Sequence, residues 1–114
     1  MNILYGIKNC DTVKKARAWL ESNHIEFQFH DFRVDGLSEA QVKAWIAELG
    51  LEALVNKRST TWKELGEATK ADFNEKIAVQ TILASPTLIK RPLLDTGASK
   101  HLGFKGNDYA KIFQ

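Results

Sequence analysis

The chain has a single cysteine, Cys10, so no intramolecular disulfide can form. Cys-x-x-Cys is absent as well, because the residue three past Cys10 is Val13. Any disulfide that Cys10 makes must join it to a second molecule. No apolar run approaches the roughly 20 residues of a membrane-spanning helix, so no membrane partner is expected. The opening MNILYGIKNC lacks a charged n-region and a small-residue cleavage site, so no secretory signal is expected. One thiol without an export signal implies a cytoplasmic protein. Net charge is also scarce: 16 Lys+Arg against 14 Asp+Glu leave +2. No dense basic stripe appears, and no nucleic-acid partner is expected. His24, His30 and His101 do not join the cysteine at zinc-ligand spacing, so no metal is expected.

What the chain does contain is enough for one core. The apolar fraction is 44%, and three Trp, six Phe and two Tyr need burial. No internal repeat, low-complexity tract or linker interrupts it, so residues 1–114 are expected to form one domain and a monomer.

Residues 2–7 form an apolar run that reads as a strand buried on both faces. From Asp11 the pattern turns helical, with Val13, Ala16 and Leu20 at i, i+3, i+7 and Asn23 as a stop. Ile25 to Asp31 alternates, which predicts a second strand with Ile25, Phe27 and Phe29 on one face. Residues 33–37 read as a loop. Ser38 with Gln41 then forms a capping-box pattern for a helix carrying Val42, Trp45, Ile46 and Leu49, ended by Gly50. Residues 51–70 are irregular, with a helical piece around Trp62 to Leu65, and 71–84 reads as one helix. Ser85-Pro86 starts a short turn. Arg91 to Leu94 and Ser99 to Phe104 are predicted strands around an Asp95-Thr96-Gly97 turn, and a last helix is capped at Asn107 or Asp108. Apart from the helical stretch of about 38–84, the order is βαβ followed by ββα. That is the layout of a thioredoxin/glutaredoxin-like α/β fold with a four-stranded mixed sheet and a helical insertion.

Cys10 falls between the first strand and the first helix. Free amides at a helix N-terminus carry partial positive charge and stabilise a thiolate, which is the nucleophilic form. The loop from Gly6 to Cys10 can present further amides to an anion. A buried free cysteine can equally be a small core hydrophobe, but Lys8, Asn9, Asp11 and Thr12 make the neighbourhood polar. Asp11 suits the first helical turn, yet a carboxylate beside a thiol opposes its ionisation. It is therefore expected to face water or bond the backbone.

The run Tyr5-Gly6-Ile7-Lys8-Asn9-Cys10-Asp11-Thr12-Val13-Lys14-Lys15-Ala16 resembles the active-site signature of the arsenate reductase-like (ArsC/Spx) family, most closely its YffB branch. Asn56 to Thr60, Pro86 to Pro92 and Gly103-Phe104 extend the resemblance over the whole chain. The resemblance implies that Arg58 and Arg91 are two of the three arginines lining the family's oxyanion site. Asn9 and Thr12 are the accompanying anion-binding candidates. Guanidinium suits that task, since its planar fork grips oxyanions bidentately. Pro92 matches the family's cis-proline, which faces the cysteine and leaves neighbouring backbone free to pair with a peptide or glutathione. At the third arginine the chain departs from the pattern, with Phe104 or Lys105 in its place.

These features imply a glutathione-dependent thiol-disulfide reductase with Cys10 as nucleophile. No bound cofactor is expected; glutathione is the co-substrate, glutaredoxin a possible second partner, and a disulfide or small oxyanion the substrate. Arsenate reduction by the same thiolate is an alternative that the missing arginine disfavours. A further alternative, of a different class, is a non-catalytic regulator that binds RNA polymerase in the manner of Spx, whose usual Cys-x-x-Cys switch is missing here.

Overall fold

A computed structural model describes all residues, Met1–Gln114. In chain order the elements are β1 (Ile3–Gly6), α1 (Asp11–Ser22), β2 (Gln28–Asp31), α2 (Phe32–Asp35), α3 (Glu39–Leu49) and α4 (Leu51–Leu54). There follow α5 (Thr60–Lys63), α6 (Glu67–Ala71), α7 (Glu75–Ala84), a 3-10 turn at Pro86–Leu88, β3 (Leu93–Asp95), β4 (Lys100–Leu102) and α8 (Gly106–Ile112). The chain divides into two compact units: Met1–Asp35 with Arg91–Gln114, and Gly36–Lys90.

The first unit is built on a four-stranded mixed sheet of order β2-β1-β3-β4. β1 runs parallel to β2 and antiparallel to β3, and β4 is antiparallel to β3. This is the mixed α/β sheet of the thioredoxin-like layout, with βαβ and ββα halves. β1 is apolar along its length because it is central: Leu4, Tyr5 and Gly6 are all buried. α1 lays Val13, Ala16 and Leu20 inward, at the helical spacing that its sequence shows. Leu4, Ala16, Leu20, Leu94 and Tyr109 form the core, with Trp19, Phe29, Phe104 and Phe113 packed around it. Burying each of these leucines contributes about 1.5–3 kcal/mol.

Several boundaries differ from those the sequence predicts. β2 starts only at Gln28. Ile25 and Phe27 still pack against the core, but side-chain alternation precedes the hydrogen-bonded ladder. Residues 32–35 form the short helix α2 instead of a loop. Aspartates at both ends hold it: Asp31 Oδ1 accepts from Arg33 N–H and Asp35 Oδ2 from Asp31 N–H, both at 2.9 Å. β3 begins two residues past Arg91, and β4 is shorter than the Ser99–Phe104 strand that the sequence predicts. α8 begins at Gly106, with Lys105 at the cap position.

The second unit is helical. α3 packs on α7 and α4, burying Val42, Trp45 and Ile46 on one side and Ala78, Val79 and Ile82 on the other. Ser38 Oγ caps α3 by accepting from Gln41 N–H at 3.1 Å. Gly50 ends α3 with φ +91°, a conformation that glycine adopts without a Cβ penalty. The helix predicted over 71–84 begins only at Glu75, after a separate short helix. α6 stops at Ala71, and Asn74 Oδ1 recaps the chain by accepting from Ile77 N–H at 3.0 Å. A single bridge pairs Val55 with Ile89, flanked by Asn56 N–H to Leu88 O and Lys90 N–H to Leu54 O, both 2.8 Å.

No helix is long and apolar enough to cross a membrane.

Candidate active site

The end of β1 turns through Ile7, Lys8 and Asn9 into Cys10, which occupies the N-cap of α1 with φ −103° and ψ 123°. Its own carbonyl accepts the first helical bond, from Lys14 N–H at 2.9 Å. A close approach sets the angle between strand and helix. A Cβ on Gly6 would stand 2.7 Å from Cγ2 of Val13, and Val13 is fully buried. Only a residue without a side chain allows β1 and the first turn of α1 to meet this tightly.

The sulfur is half-buried. It accepts no hydrogen bond of capping geometry, yet the Val13 and Thr12 amides lie near enough to act on it. Burial pushes the thiol pKa up. The Val13 amide, the hydrogen bond and the charge of Arg91, and the Thr12 amide together outweigh it, so the pKa lies below the ordinary thiol value. The causes are those of a helix start plus a cation.

Arg91 lies two residues before β3, separated from it by Pro92. Because β3 is antiparallel to β1, with Tyr5 opposite Leu93, the stretch before β3 lies at the Cys10 end of the sheet. The Arg91–Pro92 peptide bond is cis and Pro92 is buried. Pro92 O accepts from Gly103 N–H at 2.9 Å, which ties the end of β4 to the same edge.

Of the residues that the sequence singles out, Cys10, Thr12 and Arg91 come together in the first unit, with the cis Pro92 next to Arg91. Asn9 is exposed in the loop before Cys10, and Asp11 is exposed on the first turn of α1. Phe104 and Lys105 have separate roles. Phe104 packs edge to face on Tyr109 with centroids 4.7 Å apart, and Lys105 is exposed at the start of α8. Arg58 belongs to the second unit. Its side chain is exposed, and its N–H donates to Asn56 Oδ1 at 3.0 Å. Two contributors escape a reading of side-chain chemistry: the Val13 amide and the bare Cα of Gly6. Position would have found the first, since the third helical amide is the usual partner of an N-cap side chain.

The arrangement suits nucleophilic sulfur chemistry beside a guanidinium that can hold a negatively charged group. No group of three or more His, Cys, Asp and Glu side chains is placed to hold a metal ion.

Comparison with known proteins gives a consistent result. The model of the ArsC family matches residues 5–112. A protein of Haemophilus influenzae is 43% identical over 99% of both chains. The solved structure of a protein named YffB is 41% identical, covers 100% of both chains and superposes with a TM-score of 0.94. The global transcriptional regulator Spx of Lactiplantibacillus plantarum is 31% identical over 98% of this chain and 86% of its own length.

Proposed function

The chain belongs to the ArsC family, and on that premise we propose that it is a glutathione-dependent thiol-disulfide reductase with Cys10 as its only nucleophile. The observation that carries the reading is the thiolate-favouring environment of Cys10, made by the Val13 and Thr12 amides and Arg91. The Cys10 thiolate attacks one sulfur of a disulfide. The new bond is Cys10–S–S–R, and the other half leaves as a thiolate. Glutathione thiolate then displaces the second half, leaving Cys10 joined to glutathione. A second glutathione releases Cys10 as the thiolate and departs as glutathione disulfide. The substrate disulfide gains two electrons, and two glutathione thiols lose them. Because the chain has no second cysteine, the resolving thiol has to come from another molecule; in this reading it is glutathione or a protein thiol such as that of glutaredoxin. Exchange is fastest when the attacking thiol's pKa lies near ambient pH, which a lowered value favours. Arg91 holds the anionic end of the acceptor, with Asn9 and Thr12 as further contacts.

Incubation with glutathione disulfide followed by mass spectrometry tests this reading. A glutathione adduct on Cys10, released by added glutathione, is expected. An unmodified Cys10 overturns it.

Arsenate reduction is the second reading, favoured by the same sulfur–guanidinium pair. It ranks lower because Phe104 is committed to packing on Tyr109 and Lys105 supplies a point charge, not a planar fork. Turnover with arsenate, glutathione and glutaredoxin that disappears in Cys10→Ser would support it. The Spx relative raises a regulatory reading, for which capture of RNA polymerase by the full chain is the test.

A further inference from the structure

In the second unit a cavity of about 240 Å³ opens beside α5. Part of its lining is aromatic. Trp62 and Phe73 meet edge to face, with centroids 5.0 Å apart and planes at 78°. Leu51 and Val55 add apolar surface. The polar lining consists of Lys57, Lys70 and Glu52, so the cations outweigh the acid by one charge.

Lys57 places its ammonium 5.5 Å from the centroid of the Trp62 ring. Neither Lys57 nor Lys70 forms a salt bridge; the ion pair of this unit joins Lys43 and Glu39 at 2.9 Å. The backbone around the cavity is held in place. Ser59 is buried, accepts from Trp62 N–H at 3.1 Å and donates to Asn56 O at 2.7 Å. The turn that carries Lys57 and the helix that carries Trp62 are therefore fixed to each other.

An aromatic pair stays partly open to solvent here, with two ammonium groups in the lining that have no carboxylate partner. Half-exposed aromatic faces gain by covering apolar surface. Two lysines against one glutamate leave the lining with an excess positive charge, which one carboxylate would offset. The volume lies just below that of typical small-molecule pockets, which suits a ring bearing a short acidic arm. We propose that this cavity binds a small aromatic carboxylate, its ring against Trp62 and Phe73 and its charge between Lys57 and Lys70.

Phenylacetate is the probe, titrated into the full-length 15N-labelled chain while the three indole N–H signals are followed by NMR. The expected result is a saturable shift of the Trp62 signal, with Trp19 and Trp45 unmoved. Neutral phenylacetamide is expected to bind more weakly, and the double variant Lys57→Met, Lys70→Met to lose roughly three- to tenfold in phenylacetate affinity. Methionine keeps the stem volume, and the amide spectrum reports whether the variant is folded. Lys57→Arg is expected to retain binding. No saturable shift of Trp62, or equal affinity for phenylacetate and phenylacetamide, overturns the proposal. That second comparison uses the unaltered chain, so it decides the matter even if the double variant does not fold.

Discussion

Arg91 lays its guanidinium against the sulfur of Cys10. Burial alone would raise the thiol's pKa. The amides of Val13 and Thr12, together with the hydrogen bond and charge from Arg91, reverse the direction.

The pH dependence of Cys10 alkylation by iodoacetamide follows from this pair. Its midpoint should fall below the ordinary thiol value of about 8.5. Arg91→Met removes the positive charge and should move the midpoint to higher pH, while Arg91→Lys, which keeps the charge but not the fork, should lie between. Identical midpoints in all three proteins would mean that the guanidinium does not govern ionisation.

Stability should carry the same signature. A thiol whose folded pKa is depressed binds fewer protons folded than unfolded between the two pKa values, so stability rises with pH through that window. The contribution is complete above the unfolded value of about 8.5 and is lost as pH falls through the folded value. Urea unfolding across pH 5–10 should therefore show the difference between the native chain and Cys10→Ser growing with pH and then levelling. A difference independent of pH would contradict the lowered pKa.

Gly6→Ala should cost about 1–3 kcal/mol, the usual range for overpacking. The new methyl would meet the Val13 side chain at 2.7 Å, and Val13 is β-branched, buried and stiff. Because Val13 also supplies an amide to Cys10, alkylation of the thiol should slow as well. Adding Val13→Ala should return part of the Gly6→Ala loss, and a double-mutant cycle reads the coupling.

Tyr109→Phe should stabilise the first unit by roughly 1–2 kcal/mol, since a buried hydroxyl without a partner carries an uncompensated desolvation cost. The Tyr109 hydroxyl is buried with no hydrogen-bond partner, and burial pushes its pKa well above the ordinary tyrosine range. Its ring contacts with Trp19, Phe104 and Phe113 do not involve the oxygen. An increase in the urea midpoint at unchanged m-value is the expected readout; a decrease would show that the hydroxyl is bonded.

Local patterns carried the segments where several neighbouring signals agree. The capped, amphipathic α3 was legible because Ser38, Gln41 and a helical stripe lie close together in the chain. The break at Asn74 was obscured because residues 71–84 keep a helical apolar rhythm through it, and a single side-chain cap restarts the helix. α2 was hidden because Asp31 and Asp35, not an apolar stripe, hold its one turn.

By itself the sequence determined the strand, turn and helix around Cys10. An apolar run followed by a helical stripe of Val13, Ala16 and Leu20 leaves a residue between them little choice but the helix start. It also determined that Cys10 must find its disulfide partner in another molecule. Only the tertiary structure decided that the Arg91 guanidinium would reach the sulfur and that Phe104 would pack on Tyr109. Those outcomes depend on the pairing of β1 with β3 and on the closing of the aromatic core. The strand pairing joins distant segments, and the core that Tyr109 enters is assembled from β1, α1, β3 and α8 together; burial, not local propensity, selects such arrangements.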